Sequence, residues 1–128
     1  MTDDRRLAAW VESMARGEIR AYMRARRAFL KTASTRHLRE LRGAARRLRS
    51  LFDDFGDLVP ARRQKALARL LSTIAQATEI AGVRRILRKR ADDRDEDLVT
   101  PMLRVLRQQE RHWLRYAERA AAHLRYRA

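Results

Sequence analysis

Residues 38–52 read LRELRGAARRLRSLF, and this stretch decides the fold. Its apolar side chains recur at alternating intervals of three and four residues, which is the spacing of a helix face that packs into a helical bundle. The seam consists of Leu38, Leu41, Ala45, Leu48, Phe52 and, one turn further, Phe55. The stretch therefore predicts an amphipathic helix at about residues 35–55.

Similar patterns predict three more helices. Glycine and proline are scarce, with four and two residues, and both prolines, Pro60 and Pro101, stand where we expect a helix to begin. Thr32, Ser34 and Thr35 offer oxygens that can cap the second helix. The four helices are predicted at residues 4–31, 35–55, 60–90 and 100–126. We predict an all-α fold, an antiparallel four-helix bundle that forms a single domain over residues 1–128.

The third predicted helix changes register near its end. Val83 and Ile86 point nearly opposite to its earlier apolar face, so we expect the helix to break near Gly82. In the first helix, Trp10 and Tyr22 lie at core spacing and are interpreted as core residues, not as platforms on which bases stack. The residues predicted to face inward in the last helix are Met102, Val105, Trp113, Tyr116, Ala120 and Leu124.

The chain is strongly basic. Lysine and arginine total 31 against 16 acids, for a formal net charge of +15, and only three of the basic residues are lysines, leaving 28 arginines. Arginine meets phosphate oxygens two at a time and keeps its proton at every physiological pH. Because an uncancelled charge of this size opposes compaction, it favours a polyanionic partner.

The basic residues form rows on the predicted helices. The first helix carries Arg16, Arg20, Arg24, Arg27 and Lys31, opposite its apolar face. The second carries Arg39, Arg42, Arg46 and Arg49, which border the seam directly and should emerge where two helices meet. The third carries Arg62, Lys65 and Arg69. Parallel rows on neighbouring helices would form a groove for a linear phosphate chain, whose binding would weaken steeply with salt.

Residues 38–52 also resemble the signature helix of the CHAD family, the conserved-histidine α-helical domain. The family pattern of His-x-x-Arg-Val-x-x-Arg-Arg-x-Arg is matched here at Arg42, Arg46, Arg47 and Arg49. The family histidine falls at Arg39, and a later Arg-Asp pair is replaced by Glu79 and Ile80. The resemblance implies half of a double four-helix bundle whose basic channel binds inorganic polyphosphate, and it implies that two copies form the full channel as a homodimer.

No pattern indicates catalysis. The chain has no cysteine, no glycine-rich phosphate loop and no serine with a histidine nearby, so we predict no enzyme activity and no cofactor. His37, His112 and His123 lack the spacing of metal ligands, so no metal site is predicted. Without an apolar run for a signal or a membrane span, we expect a cytoplasmic protein that does not bind membranes.

The sequence thus predicts a non-catalytic polyanion-binding module, with inorganic polyphosphate as the ligand that the resemblance implies. Arg39, Arg42, Arg46 and Arg49 would form the centre of the site, and the rows on the first and third helices would extend it. Two alternatives stay open. One is a basic, nucleoid-type protein that binds nucleic acid through the same faces. The other is a helical adaptor for an acidic partner or a granule surface, which would leave apolar seams exposed.

Overall fold

The computed structural model describes residues 2–54, 60–90 and 96–126. Within these ranges the chain forms four α-helices: α1 (Thr2–Lys31), α2 (Thr35–Asp54), α3 (Ala61–Arg90) and α4 (Glu96–His123). Each helix packs against the next along the chain and α4 returns to α1, so that the helices form a closed ring. The predicted all-α four-helix bundle is confirmed.

The turn between α1 and α2 is fixed by a serine cap. The Ser34 hydroxyl accepts a hydrogen bond from the backbone N–H of His37 at 3.1 Å, and the His37 Nδ1 atom lies 2.8 Å from the Thr32 carbonyl oxygen. Ser34 is one of the capping residues predicted from the sequence. Far from this turn, Arg47 of α2 lies 3.4 Å from Glu18 of α1, as antiparallel packing requires.

One apolar face of each helix builds the interior. The predicted seam of α2 is buried at every described position, and Leu41, Ala45 and Leu48 are fully buried. The largest fully buried side chains of the core are Tyr22, Phe29, Leu41, Leu48, Leu67, Leu70, Ile74 and Leu124. Burying an aliphatic or phenylalanine side chain contributes about 1.5–3 kcal/mol.

Side chains of α1 fasten the C-terminal end of α4. The Tyr22 hydroxyl donates to the Leu124 carbonyl at 2.9 Å. The Arg26 guanidinium donates to the carbonyls of Ala121 at 2.6 Å and Ala122 at 3.0 Å. The last carbonyls of a helix have no partner within it and carry the negative end of its dipole, so Arg26 satisfies and neutralises this end. Burial raises the pKa of Tyr22 and lowers the pKa of Arg26.

Tyr126 extends this contact to the other two helices. Its ring lies edge-on to those of Tyr22 and Phe52, with centroids 5.6 Å and 6.0 Å away, and the Arg63 guanidinium lies 5.3 Å from its centroid. Arg63 also donates a hydrogen bond to the Arg125 carbonyl. We call Tyr22, Arg26, Arg63 and residues 121–126 the C-terminal clasp, because together they join all four helices.

The two helical hairpins are offset along the bundle axis. Thr35, the first residue of α2, lies beside Thr78, Ala81 and Arg85 of α3. The end of α3 and the start of α4 therefore extend past the turn between α1 and α2. Large apolar side chains on this extension are 47–71 % exposed, namely Val83, Ile86, Leu98, Met102 and Val105. No helix within the described ranges has an apolar stretch long enough to cross a membrane.

The predicted break near Gly82 is wrong, because α3 runs through this residue without interruption. Val83 and Ile86 do turn away from the earlier apolar face. Because the helix keeps its direction, both side chains are exposed. One glycine costs a helix only about 1 kcal/mol. Because a break would sacrifice several backbone hydrogen bonds, the continuous helix is favoured.

Helix boundaries differ most at α4. The helix begins at Glu96, before the predicted start at residue 100, so that Pro101 lies inside it, and it ends at His123, short of residue 126. Val99 is buried, and its burial favours a helical conformation for the turn before the proline. The predicted end of α2 at Phe55 and the acidic residues 92–95 lie outside the described residues.

Several residues predicted to face inward are exposed instead. Trp10 is 57 % exposed, Met102 and Val105 are 53 % exposed, and Tyr116 is 45 % exposed. The predictions for Tyr22 and for the end of α4 are confirmed, since Tyr22 and Leu124 are buried, while Trp113 is half-buried. Helical spacing places all these residues on apolar faces, but at the exposed positions no neighbouring helix covers that face.

Candidate functional site

The arginine row of α2 opens into a groove between α2 and α3. Arg42, Arg46 and Arg49 line this groove of about 530 Å³, together with Ser50 and Asp53. The α3 wall is formed by Ala68, Leu71, Ser72 and Ala75. Because these side chains are short, the guanidinium groups dominate the rim. The arginines lie at the seam because they directly border the buried positions of α2, as the sequence predicts.

Two smaller hollows adjoin this groove, one towards each end of α3. Towards the start of α3 the groove leads to Lys65, through a hollow that shares Arg49 with the central part. Towards the end of α3 the groove leads to a cavity of about 70 Å³ that shares Arg42 and contains Arg39 and Arg85. We call this set the basic groove, consisting of Arg39, Arg42, Arg46, Arg49, Lys65 and Arg85. From Lys65 to Arg85 it spans roughly 30 Å by the helical rise of 1.5 Å per residue.

Most positive charges in the basic groove are not compensated. Among the described residues, Arg39, Arg42 and Arg46 form no ion pair. Arg49 lies 4.0 Å from Asp53, but both side chains are more than half exposed, so water screens their attraction. Arg39, Arg42 and Arg46 therefore leave uncompensated positive charge along the groove.

One carboxylate lies in the cavity at the Arg85 end. Glu110 of α4 is largely buried and faces Arg84 of α3, with its Oε2 atom 3.2 Å from the Arg84 Nε atom. This oxygen is close enough for an ion pair but forms no well-aligned hydrogen bond within the described residues. Arg84 offsets the Glu110 charge, which leaves Arg39, Arg42 and Arg85 as the net positive charge of the cavity.

A second groove lies between α1 and α2 and has a volume of about 610 Å³. Arg24 of α1 and Arg39 and Arg47 of α2 line it, together with Glu40. Two of the charges near it are already paired, since Arg47 lies 3.4 Å from Glu18 and Glu40 lies 3.3 Å from Arg36. This groove is therefore less positive than the basic groove, and Arg39 lies where the two meet.

The structure brings together some of the predicted site residues and separates others. The predicted residues that line the basic groove are Arg39, Arg42, Arg46, Arg49 and Lys65. Arg24 lines the second groove. The predicted residues that line neither groove are Arg16, Arg20, Arg27, Lys31, Arg62 and Arg69, all of them exposed. Of these, Arg62 lies with Arg63, His123 and Arg125 around a separate hollow at the other end of the bundle.

Arg85 is the groove residue that the site prediction lacked. It follows Thr78 and Ala81 at intervals of three and four residues, and all three line the same cavity. The expected break at Gly82 placed Arg85 in a separate helical piece. Reading α3 as one continuous helix would have assigned it to the face towards α2.

The histidines and carboxylates of the described residues do not form a metal-type cluster. No three of the described side chains from histidine, cysteine, aspartate and glutamate gather as metal ligands would. The prediction that no serine has a histidine nearby is wrong for Ser34, because the His37 Nδ1 atom lies 3.0 Å from the Ser34 hydroxyl oxygen in the turn. The ring of His112 packs against that of Tyr116, with centroids 4.6 Å apart. No protein-family model matches the chain, and no curated protein or solved structure is significantly similar to it.

Proposed function

We propose that this protein is a non-catalytic binding module for inorganic polyphosphate and that the basic groove is its binding site. The observation that carries this proposal is the row of six basic residues along one groove, most of them without a carboxylate partner. A polyanion lying in the groove neutralises these charges in turn. It thereby also reduces the self-repulsion of a chain with a net charge of +15.

The lining of the groove favours a bare phosphate chain over single-stranded nucleic acid. Its central part is lined by arginine, alanine, serine, leucine and aspartate, without an aromatic side chain among them. Nucleic-acid grooves of this kind usually supply aromatic rings on which bases stack. Guanidinium groups alone recognise phosphate oxygens through bidentate hydrogen bonds and release of counter-ions.

We also propose that the chain is a CHAD-like half-domain. The segment that resembles the family, residues 38–52, lies in α2 and supplies four of the six residues of the basic groove. Arg39 stands at the position of the family histidine and lines both grooves. A positively charged side chain at this position keeps the interaction with phosphate that the resemblance implies.

A homodimer is part of this proposal. A polyphosphate chain longer than the roughly 30 Å of one basic groove leaves phosphates free for a second copy. Two chains that each carry +15 repel one another, and a shared polyanion removes this repulsion. We therefore propose that long polyphosphate holds two copies together.

Replacing Arg42 and Arg46 by alanine tests the assignment of the site. We expect polyphosphate affinity to fall at least about tenfold at low salt, because each residue loses charge-assisted hydrogen bonds to phosphate. The slope of log affinity against log salt should become shallower by about one to two. Isothermal titration with polyphosphates of several lengths at two salt concentrations measures both quantities, and circular dichroism checks that the helical content is unchanged.

The matched control is Arg107→Ala with Arg111→Ala, which removes the same charge from exposed positions of α4 outside the groove. Equal loss in both variants would mean that only net charge matters, and the site assignment would be wrong. Duplex DNA with the same number of charges serves as a competitor. If DNA displaces long polyphosphate more readily than long polyphosphate displaces DNA, nucleic acid is the better ligand.

A further inference from the structure

Six of the nine large apolar side chains that are exposed among the described residues lie on α3 and α4. They are 45–71 % exposed, although each is of a size that normally lies in a core. We call them the outer patch, consisting of Val83, Ile86, Leu98, Met102, Val105 and Tyr116. Groups of exposed apolar side chains that are rimmed by polar residues often mark an interaction surface.

The residues of the outer patch share one side of the hairpin. On α3, Arg84 points to Glu110 of α4 and Arg85 points into the cavity next to α2. Val83 and Ile86 flank these two arginines in sequence, so helical geometry turns both to the opposite, outer side. The contact between Arg84 and Glu110 sets the register of this antiparallel hairpin and places Ile86 about level with Gln108 of α4.

α4 carries a buried apolar stripe and an exposed stripe that is only partly apolar. The buried stripe includes Val99, Ala117 and Ala121 and packs into the bundle. The exposed stripe recurs at intervals of four, three, four, three and four, with apolar side chains at four positions and polar ones at Gln109 and His112; it consists of Leu98, Met102, Val105, Gln109, His112 and Tyr116. This is the spacing with which one helix packs against another, and no helix in the described ranges covers it. It extends over about 27 Å.

Basic residues border the outer patch. Lys89 of α3 and Arg104, Arg115 and Arg119 of α4 are all exposed, and the Arg119 guanidinium lies 6.0 Å from the centroid of the Tyr116 ring. Within the described part of the chain, none of the four forms an ion pair. Two copies of this surface would therefore oppose like charges, whereas a partner with acidic borders would be attracted.

We propose that the outer patch binds an amphipathic helix of an acidic partner protein. The partner helix lies in the furrow between α3 and α4, with apolar residues on the patch and carboxylates against Lys89, Arg104 and Arg115. The length of the exposed stripe on α4 fits a helix of about 18 residues. The outer patch and the basic groove share no residue, so a polyanion and this partner can bind at the same time.

A synthetic 18-residue helix tests the proposal. The probe carries leucines at the alternating spacing and glutamates on both borders, and a second peptide keeps the glutamates but has glutamine in place of leucine. In fluorescence anisotropy titrations, we expect the protein to bind the leucine peptide at least about tenfold more tightly than the glutamine peptide, because only the former buries apolar surface. Met102→Gln with Val105→Gln should abolish this difference, while Met14→Gln with Leu30→Gln on α1 should preserve it.

Variants with Arg42→Ala and Arg46→Ala separate this proposal from the proposed function. They should lose polyphosphate affinity but keep the preference for the leucine peptide. Equal affinity for both peptides, or an unchanged preference in the Met102 and Val105 variant, would overturn the proposal. The proposal would also be overturned if the variant with Met102→Gln and Val105→Gln lost concentration-dependent self-association, because a second copy would then be the occupant. Loss of binding to vesicles with anionic lipids in the same variant would overturn it as well, because a membrane surface would then be the occupant.

Discussion

Tyr126 combines a well-packed ring with a hydroxyl group that has no hydrogen-bond partner among the described residues. Its ring contacts α1, α2 and α3 through Tyr22, Phe52 and Arg63. Burial raises the pKa of Tyr126 to about 12, although the nearby Arg63 charge acts in the opposite direction. The folded protein therefore holds this tyrosine neutral at a pH where the unfolded chain ionises it.

This difference predicts how stability changes at alkaline pH. In the unfolded chain tyrosine ionises near its ordinary pKa of about 10, so the unfolded state binds fewer protons between pH 10 and about 12, and the free energy of unfolding falls as pH rises through this window. Tyr126→Phe removes one such group and should make the fall shallower. At neutral pH it should be neutral or stabilise by up to about 1 kcal/mol, because a buried, unpaired hydroxyl is lost. Urea unfolding between pH 8 and 12 measures both effects.

Tyr116→Phe is the matched control, because this ring lies on the exposed side of α4. A Tyr126→Phe variant with the same pH dependence as the native chain, or with a stability lower by more than about 1 kcal/mol at neutral pH, would show that the hydroxyl has a favourable role.

At the scale of single residues, the sequence predicts which face a side chain occupies but not whether another helix covers it. Tyr22 and Trp10 lie on the same apolar face of α1, yet Tyr22 is fully buried and Trp10 is 57 % exposed. The difference arises because α4 meets α1 at Tyr22, through Leu124, and ends there. The offset between helices depends on the whole packing arrangement, so it cannot be predicted from local periodicity.

Among the elements, α3 shows that a change in apolar register does not by itself break a helix. Its apolar pattern rotates after Gly82, but the backbone remains helical to Arg90. A Cβ atom added at Gly82 would have no neighbouring atom within 4 Å. The glycine therefore serves neither a turn nor a close approach, and it only weakens the helix.

Gly82→Ala should raise the free energy of unfolding by about 0.5–1 kcal/mol, since alanine restricts the unfolded chain and favours the helix. Thermal and urea unfolding measure this gain. The reciprocal change at an exposed position of the same helix, Ala75→Gly, should cost a similar amount. A loss of stability in Gly82→Ala would mean that α3 does bend at this residue.

The existence of the four helices could be predicted because each is long and its apolar residues follow helical spacing over most of its length, whereas the helix ends depend on packing. The start of α4 was predicted at Thr100 from its proline, but Val99 is buried, and its packing extends the helix back to Glu96. Conversely, the cap at Ser34 was predictable, because the hydroxyl acts on the next turn of its own helix. Local chemistry determines a cap, and tertiary contacts decide how far a helix runs.

At the scale of the whole molecule, the proposed homodimer predicts how the oligomeric state depends on polyphosphate. Sedimentation velocity at micromolar concentration should show monomers without polyphosphate and dimers with a polyphosphate longer than one basic groove, since the shared polyanion cancels the repulsion between two highly charged chains. A polyphosphate too short to span two grooves serves as the control and should leave the protein monomeric. Only monomers under all three conditions would contradict the proposed dimer.

At this scale, the sequence predicts the central part of the candidate site but not its extent. Arg42, Arg46 and Arg49 line a groove because they border a seam, and a seam is visible in the sequence. The row on α1 lies opposite its apolar face, and of this row Arg24 lines the second groove while the other four residues line neither of the two grooves described above. A row that borders a buried face is held at a helix–helix junction by packing, whereas a row on the far side points to solvent whatever the fold. The assignment of a ligand to this groove stays a prediction.

The C-terminal clasp has a consequence for the order in which the chain can fold during its synthesis. Tyr22 and Arg26 find their α4 partners 95–102 residues later in the chain. The hairpin of α1 and α2 can form as soon as it leaves the ribosome, because its contacts are local. Until residue 126 has been translated, however, the face of α1 that carries Tyr22 and Arg26 lacks its packing partners from the end of α4. The nascent chain therefore exposes this partly apolar face while α2, α3 and α4 are being synthesised.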